Sequence, residues 1–198
     1  MVPKIQANSI LENREIRRQQ LVGAALSIAL TQNVEAITIS AVAKKAGLSR
    51  ASVYEYFSST ADLITDLIVD EMDHYAARLE NAMKNAHDPF EQLQLWIREA
   101  LLYAADGRHM LVKSLSTVTT PEFRREEVAK GHRKLLATFL APINEIGFAN
   151  PQAAAALLQS VIDATSIRID SGNPEEEEIQ HATSFALAGL RSLNVTRI

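Results

Sequence analysis

Apolar positions along this chain recur at intervals of three and four, and no segment alternates strictly, so the pattern predicts helices throughout. Leu21, Ala24, Ala25 and Ile28 form one face of a first helix, expected from about residue 9 to Thr31 with Ser9-x-x-Glu12 as a capping box. Residues 1–8 show no period and read as a disordered arm. Val42, Ala43 and Ala46 mark a short second helix, and Val53 and Phe57 a third. Ser59-x-x-Asp62 starts a fourth, carried by Leu63, Leu67, Met72, Tyr75, Leu79 and Met83 to about Ala86. A fifth opens at Pro89 with Phe90, Leu93, Ile97 and Leu101 on one stripe and breaks at Asp106-Gly107; a short sixth covers Arg108 to about Ser116. Thr120-Pro121, Asn150-Pro151 and Asn173-Pro174 each place a capping residue before proline, a helix start signal. They open a seventh helix (Val128, Leu135, Leu136, Phe139, Ile143, ended by Gly147), an eighth (Gln152 to about Asp170) and a ninth (from Glu175). The expected fold is all-α with about nine helices.

The stretch Thr38–Leu63 carries the densest information. The Thr38 hydroxyl can accept an orphan N–H at the start of the second helix. Gly47 can end that helix in a left-handed conformation, and Ser49 can cap the third helix two residues later. Ala43 is small enough for the two helices to cross closely, and Val53 closes the core between them. Helix, glycine turn and helix make a helix-turn-helix, whose second helix reads the DNA major groove. On spacing alone, any small helical hairpin with a glycine turn competes with this reading. The candidate DNA contacts are Thr38, Ser40, Lys45, Ser49, Arg50, Ala51, Ser52, Tyr54, Tyr56 and Thr60. Arg17 and Arg18, clustered with Arg14 near the start of the first helix, are candidates for phosphate contacts flanking the groove.

Thr38, Val42-Ala43, Ala46-Gly47-Leu48-Ser49, Val53-Tyr54, Tyr56-Phe57 and Asp62-Leu63 resemble the N-terminal signature of the TetR family of bacterial transcriptional regulators. Upstream, Arg18, Leu21, Ala24, Ala25, Leu26 and Ile28 are similar to that family's first helix, so the likeness spans roughly residues 15 to 65. Three positions depart from it. Ala29 stands where a bulky aromatic is usual. Asn33 replaces a glycine, a change open to Asn because it also visits the left-handed region. Thr60 replaces a lysine, which removes the charge from a phosphate contact. The resemblance implies a helix-turn-helix DNA-binding domain over residues 1–60 and a helical ligand-binding and dimerisation domain over 61–198. It further implies a homodimeric repressor, held by its last two helices, that leaves a palindromic operator when a small molecule binds. The fourth helix would link pocket to head.

Charge supports a nucleic-acid partner only once the chain is divided. The whole carries −4, yet residues 1–60 hold seven Lys and Arg against four Asp and Glu, which is +3, and the rest carries −7. Phosphates respond to the local field, so a basic head on an acidic body suits DNA. With 47% hydrophobic and 22% charged residues in 198, the chain can bury a core. Zero cysteines exclude disulfides, thiolate metal sites and a cysteine nucleophile. No apolar run reaches membrane-spanning length and the N-terminus has no signal-peptide core, so a cytoplasmic location is expected.

The seven glycines are isolated and the five histidines scattered singly, so no cofactor, metal site or catalytic centre is expected. A ligand pocket needs only an apolar hollow with a few polar groups. Its candidate lining is Tyr75, Met83, Trp96, Tyr103, His109, Met110, Phe123, His132 and Phe139. The small run Ala153–Ala156 permits close helix approach, and the dimer seam is expected at Leu158, Ile162, Ala186, Leu190 and Leu193. Two alternatives stay open at this point: an effector-independent architectural DNA binder, and a helical ligand carrier or enzyme.

Overall fold

The protein is seen in a computed structural model that describes residues 4–106, 111, 114, 115 and 117–195. Among these, every regular element is helical, as the periodicity requires. The α-helices are α1 (Lys4–Thr31), α2 (Ile39–Ala46), α3 (Arg50–Tyr54), α4 (Thr60–Met83), α5 (Pro89–Ala105), α6 (Arg125–Ile146), α7 (Pro151–Asp170) and α8 (Glu175–Val195). Two 3-10 turns lie at Val34–Ala36 and Glu122–Arg124. Most of the expected short helix over 108–116, and Gly107 before it, fall outside the described residues.

The chain divides into two compact units. One comprises Met1–Asp70 with Leu111–Val128, the other Glu71–Met110 with Ala129–Ile198. The first unit is built on α1, α2, α3 and the opening turns of α4, around Leu21, Ala25, Val42, Val53, Phe57 and Leu63, each at most 2% exposed. Burying the Leu, Val and Phe side chains among them stabilises by about 1.5–3 kcal/mol each before chain entropy is counted. Here α1 begins at Lys4, so Ser9 and Glu12 lie inside the helix rather than capping it. Asn33 is extended (φ −172°) instead of left-handed, and its side chain caps the 3-10 turn by accepting the Ala36 N–H at 2.8 Å. Residue 33 thus meets the turn by hydrogen bonding, a route glycine does not have.

The second unit packs α5, α6, α7 and α8 around Leu93, Ile97, Leu101, Ile143 and Leu158. Trp96 sits in this core against Phe139, ring centroids 5.0 Å apart, and donates its indole N–H to Thr138 Oγ1 at 2.8 Å. That bond meets the one polar group a buried indole brings with it. The caps fall where local chemistry puts them: Asp88 accepts the Glu91 N–H and Asn150 the Ala153 N–H. Thr120-Pro121 behaves differently. Pro121 has an extended ψ of 141°, makes no side-chain cap bond and leads into the 3-10 turn, so α6 starts only at Arg125.

Candidate nucleic-acid interface

Three local devices build the helix-turn-helix of the first unit. Thr38 Oγ1 accepts the Ala41 N–H at 3.1 Å, which leaves its own hydroxyl proton free to donate outward. Gly47 is left-handed (φ 68°, ψ 31°), and behind it the Leu48 N–H closes on the Ala43 carbonyl at 2.9 Å. Ser49 Oγ accepts the Ser52 N–H at 3.0 Å and pairs with the Ser52 hydroxyl at 2.9 Å. Ala43 and Val53 are buried between the helices, as the spacing requires.

This packing leaves one side of α3 open. Arg50 and Ala51 are exposed, Tyr54 is 50% exposed and Ser52 is half-buried beside its cap. Thr38, Ser40, Lys44, Lys45 and Ser49 are exposed around them, and Thr60 is half-buried in the first turn of α4. Tyr56 is half-buried, with the Arg14 guanidinium 5.8 Å from its ring centroid. Arg14, Arg17, Gln20 and Tyr56 help line a groove of about 510 Å³. Arg17 is exposed and donates to Gln20 Oε1 at 3.1 Å, a neutral acceptor on its own helix.

Arg18, expected on phosphate, is placed otherwise. It pairs with Asp66 and with Glu15, and reaches Asp70 at 3.4 Å. Asp66 also takes Arg124 at 2.6 Å, and the same guanidinium holds Asp62 at 2.8 Å and Glu127. Asp62, Asp66 and Asp70 lie four apart on one face of α4, where like charges repel unless cations intervene. That spacing was the only trace of the cluster in the sequence, and nothing there pointed to Arg124. The second oxygen of Asp62 accepts both the N–H and the hydroxyl of Ser58 at 2.9 Å. The capping box thus reaches back to Ser58, while Ser59 Oγ accepts the Asp62 N–H. Burial pushes the Asp62 carboxyl up, but the Ser58 N–H, the Arg124 guanidinium and the Ser58 hydroxyl together hold it below its ordinary 3.8.

In the second unit the described members of the expected ligand lining lie in different surroundings. Tyr75 and Tyr103 stack on each other at 4.0 Å between centroids, leaving no slot between them. The Tyr103 hydroxyl donates to buried Glu71 at 3.3 Å, and Arg78 lies over the Tyr103 ring while pairing with Glu99 and Asp106. Trp96 and Phe139 are core, and His132 is exposed. Met83 borders a separate hollow of about 370 Å³ with Glu80, Gln92 and Pro142. Phe123 belongs to the first unit and is 70% exposed. His109 and Met110 lie outside the described residues.

Four of the five residues expected at a dimer seam lie inside the single chain. Leu158, Ile162, Ala186 and Leu190 are buried within the single chain, because these faces of α7 and α8 close the core of the second unit. Leu193 remains 41% exposed, and on the same two helices Leu157, Ile167 and Phe185 are 55%, 62% and 72% exposed. Leu157, Ala164, Phe185, Gly189 and Leu193 surround an apolar groove of about 390 Å³ floored by Leu158, Ala186 and Leu190. No helix among the described residues is long and apolar enough to cross a membrane.

Residues 21–67 match the profile of the family described as bacterial regulatory proteins, tetR family. The "Fatty acid metabolism regulator protein" of Bacillus subtilis is 25% identical over 130 residues, covering 64% of this chain and 67% of that one. The "HTH-type transcriptional regulator BetI" of Rhizobium meliloti is 35% identical over 83 residues, 42% of this chain and 41% of its own length. Among solved structures, FadR of Bacillus subtilis in complex with stearoyl-CoA superposes with a TM-score of 0.70 at 20% identity, covering 86% of this chain and 98% of that one. At that identity the likeness establishes a shared fold.

Proposed function

We propose that this chain, a DNA-binding transcriptional regulator of the TetR family, acts as a homodimer that represses from a palindromic operator and releases it on binding a small molecule. The observation that carries the reading is the capped helix-turn-helix, with Arg50, Ala51 and Tyr54 open on α3. Arg50 is the base reader, since a guanidinium grips a guanine edge bidentately. Arg14, Arg17, Lys44, Lys45 and the Thr38 hydroxyl take phosphates. The paired copy joins through the apolar groove of α7 and α8, because an exposed apolar stripe of this kind is covered most simply by its own symmetry mate. Two linked heads then bind two half-sites, and the second binds at the high effective concentration the first provides. A ligand relieves repression by preferring a state of the body in which the heads grip poorly, and only by that preference. The similarity to fatty-acid regulators makes a long-chain acyl-CoA the first ligand to test.

Genomic footprinting followed by fluorescence anisotropy on the recovered site tests each part. The reading expects a protected inverted repeat, a half-site that binds far more weakly, and release by stearoyl-CoA or another screened ligand. No protected site would refute DNA binding. A site that no ligand in a broad screen releases would leave an effector-independent architectural protein.

A further inference from the structure

Arg124 occupies an unusual place in the chain. It ends the 3-10 turn Glu122–Arg124, within a segment that belongs to the DNA-reading unit although both flanking stretches of sequence belong to the other. Its side chain is 13% exposed and points at two carboxylates one turn apart on α4. One of these, Asp62, turns its free oxygen to the backbone N–H and hydroxyl of Ser58. Ser58 directly follows Phe57, which closes the helix-turn-helix core, and Tyr56, which meets Arg14. A continuous polar relay therefore runs from Arg124 through Asp62 to the turn that fixes the end of α3.

Removing the guanidinium would leave Asp62 without a cation and Asp66 with Arg18 alone, both carboxylates only 6% exposed. Buried charges without partners draw in water or move outward. Either response displaces the first turn of α4 and the Ser58 turn joined to it. We propose that Arg124 is a positioning residue for DNA recognition, setting operator affinity through Asp62 and Ser58 without touching DNA. Displacement of the segment that carries Arg124 then weakens operator binding from outside the contact surface. This rests on the DNA-binding reading above, whose failure would show in the wild-type protein as the absence of any protected site.

The test compares wild type with Arg124→Gln, Arg124→Lys, Asp62→Asn and the double variant Arg124→Gln/Asp62→Asn. Operator and random-duplex affinities are measured over a range of salt, with circular dichroism reporting the folded fraction. Arg124→Gln should lose about tenfold or more in operator affinity, the scale of a typical coupling. The salt slope and the random-duplex affinity of the folded protein should stay unchanged. Arg124→Lys should recover only part, since an ammonium cannot fork onto two carboxylates. The double variant should bind no worse than the weaker single one. Wild-type affinity in Arg124→Gln would overturn the proposal. So would a slope reduced by about 0.9, the mark of a lost phosphate contact. An equal loss on operator and random duplex would overturn it too, as the sign of a merely structural residue. Should Arg124→Gln not fold, Arg124→Lys decides by the same three readings.

Discussion

Phe185 and Leu190 lie five residues apart on α8 in opposite surroundings, 72% and 3% exposed in the single chain. Glutamate at each position therefore has a different consequence. A phenylalanine side chain carries roughly 200 Å² of surface, so about 140 Å² of Phe185 remains in water on each subunit. Pairing two copies would bury about twice that, worth up to ~7 kcal/mol at ~25 cal/mol per Å². Phe185→Glu removes this term and adds carboxylates at the seam, weakening association by as much as about five powers of ten at 1.4 kcal/mol per decade. The protein should become a folded monomer at micromolar concentration. Leu190→Glu instead places a charge in the core of the second unit, with a penalty of several kcal/mol against a total stability of about 5–15 kcal/mol. That variant should lose its cooperative thermal transition. Sedimentation velocity over a concentration series, paired with circular dichroism melts, separates the two outcomes. A Phe185→Glu protein that stays dimeric at micromolar concentration would move the seam away from this groove.

Arg50→Ala should cost roughly 1–3 kcal/mol of specific binding and relax the base preference at one position per half-site, measured by anisotropy on operator variants. Thr60→Lys should steepen the dependence of log affinity on log salt by about 0.9 for each new phosphate contact, because residue 60 opens α4 beside the reader. Arg17→Ala should flatten that dependence by a similar amount. Arg18→Ala should lower the melting temperature instead, since its guanidinium is committed to Glu15 and Asp66. Because folding depresses the Asp62 carboxyl, its stabilisation is full above the ordinary 3.8 and is lost as pH falls through the lower folded value. Urea unfolding followed down to roughly pH 3 should therefore show a decline that is shallower in Asp62→Asn.

What was legible in the sequence is what local chemistry decides. Thr38, Gly47 and Ser49 act on atoms within four residues, so the turn of the reader could be drawn from the letters alone. Asn33 shows the limit of that method, because two different local solutions, a left-handed bend and a side-chain cap, suit the same residue. The apolar stripes of α7 and α8 were visible but their facing was not. Leu157 and Leu158 are neighbours in sequence, and helical spacing alone cannot say which enters the core. Of the Arg124 cluster only the four-residue spacing of Asp62, Asp66 and Asp70 was legible, since Arg124 itself lies 58 and 62 residues from its partners and pairing at that range leaves no period. The ligand lining was hard to read for a related reason: aromatic residues mark packing and pockets alike.

The DNA-reading unit is not one uninterrupted piece of chain, because Leu111–Val128 belongs to it. This bears on any attempt to graft the reader onto a different body. A chimera cut at the end of residue 70 would carry the proposed recognition surface across, yet leave Asp62 and Asp66 facing whatever the recipient supplies in place of Arg124. Such a hybrid keeps its specificity determinants and loses their foundation. The transferable module is therefore a two-part transplant, residues 1–70 together with 111–128, and a recipient accepts the first part well only if it already offers a cation where the second would have brought one.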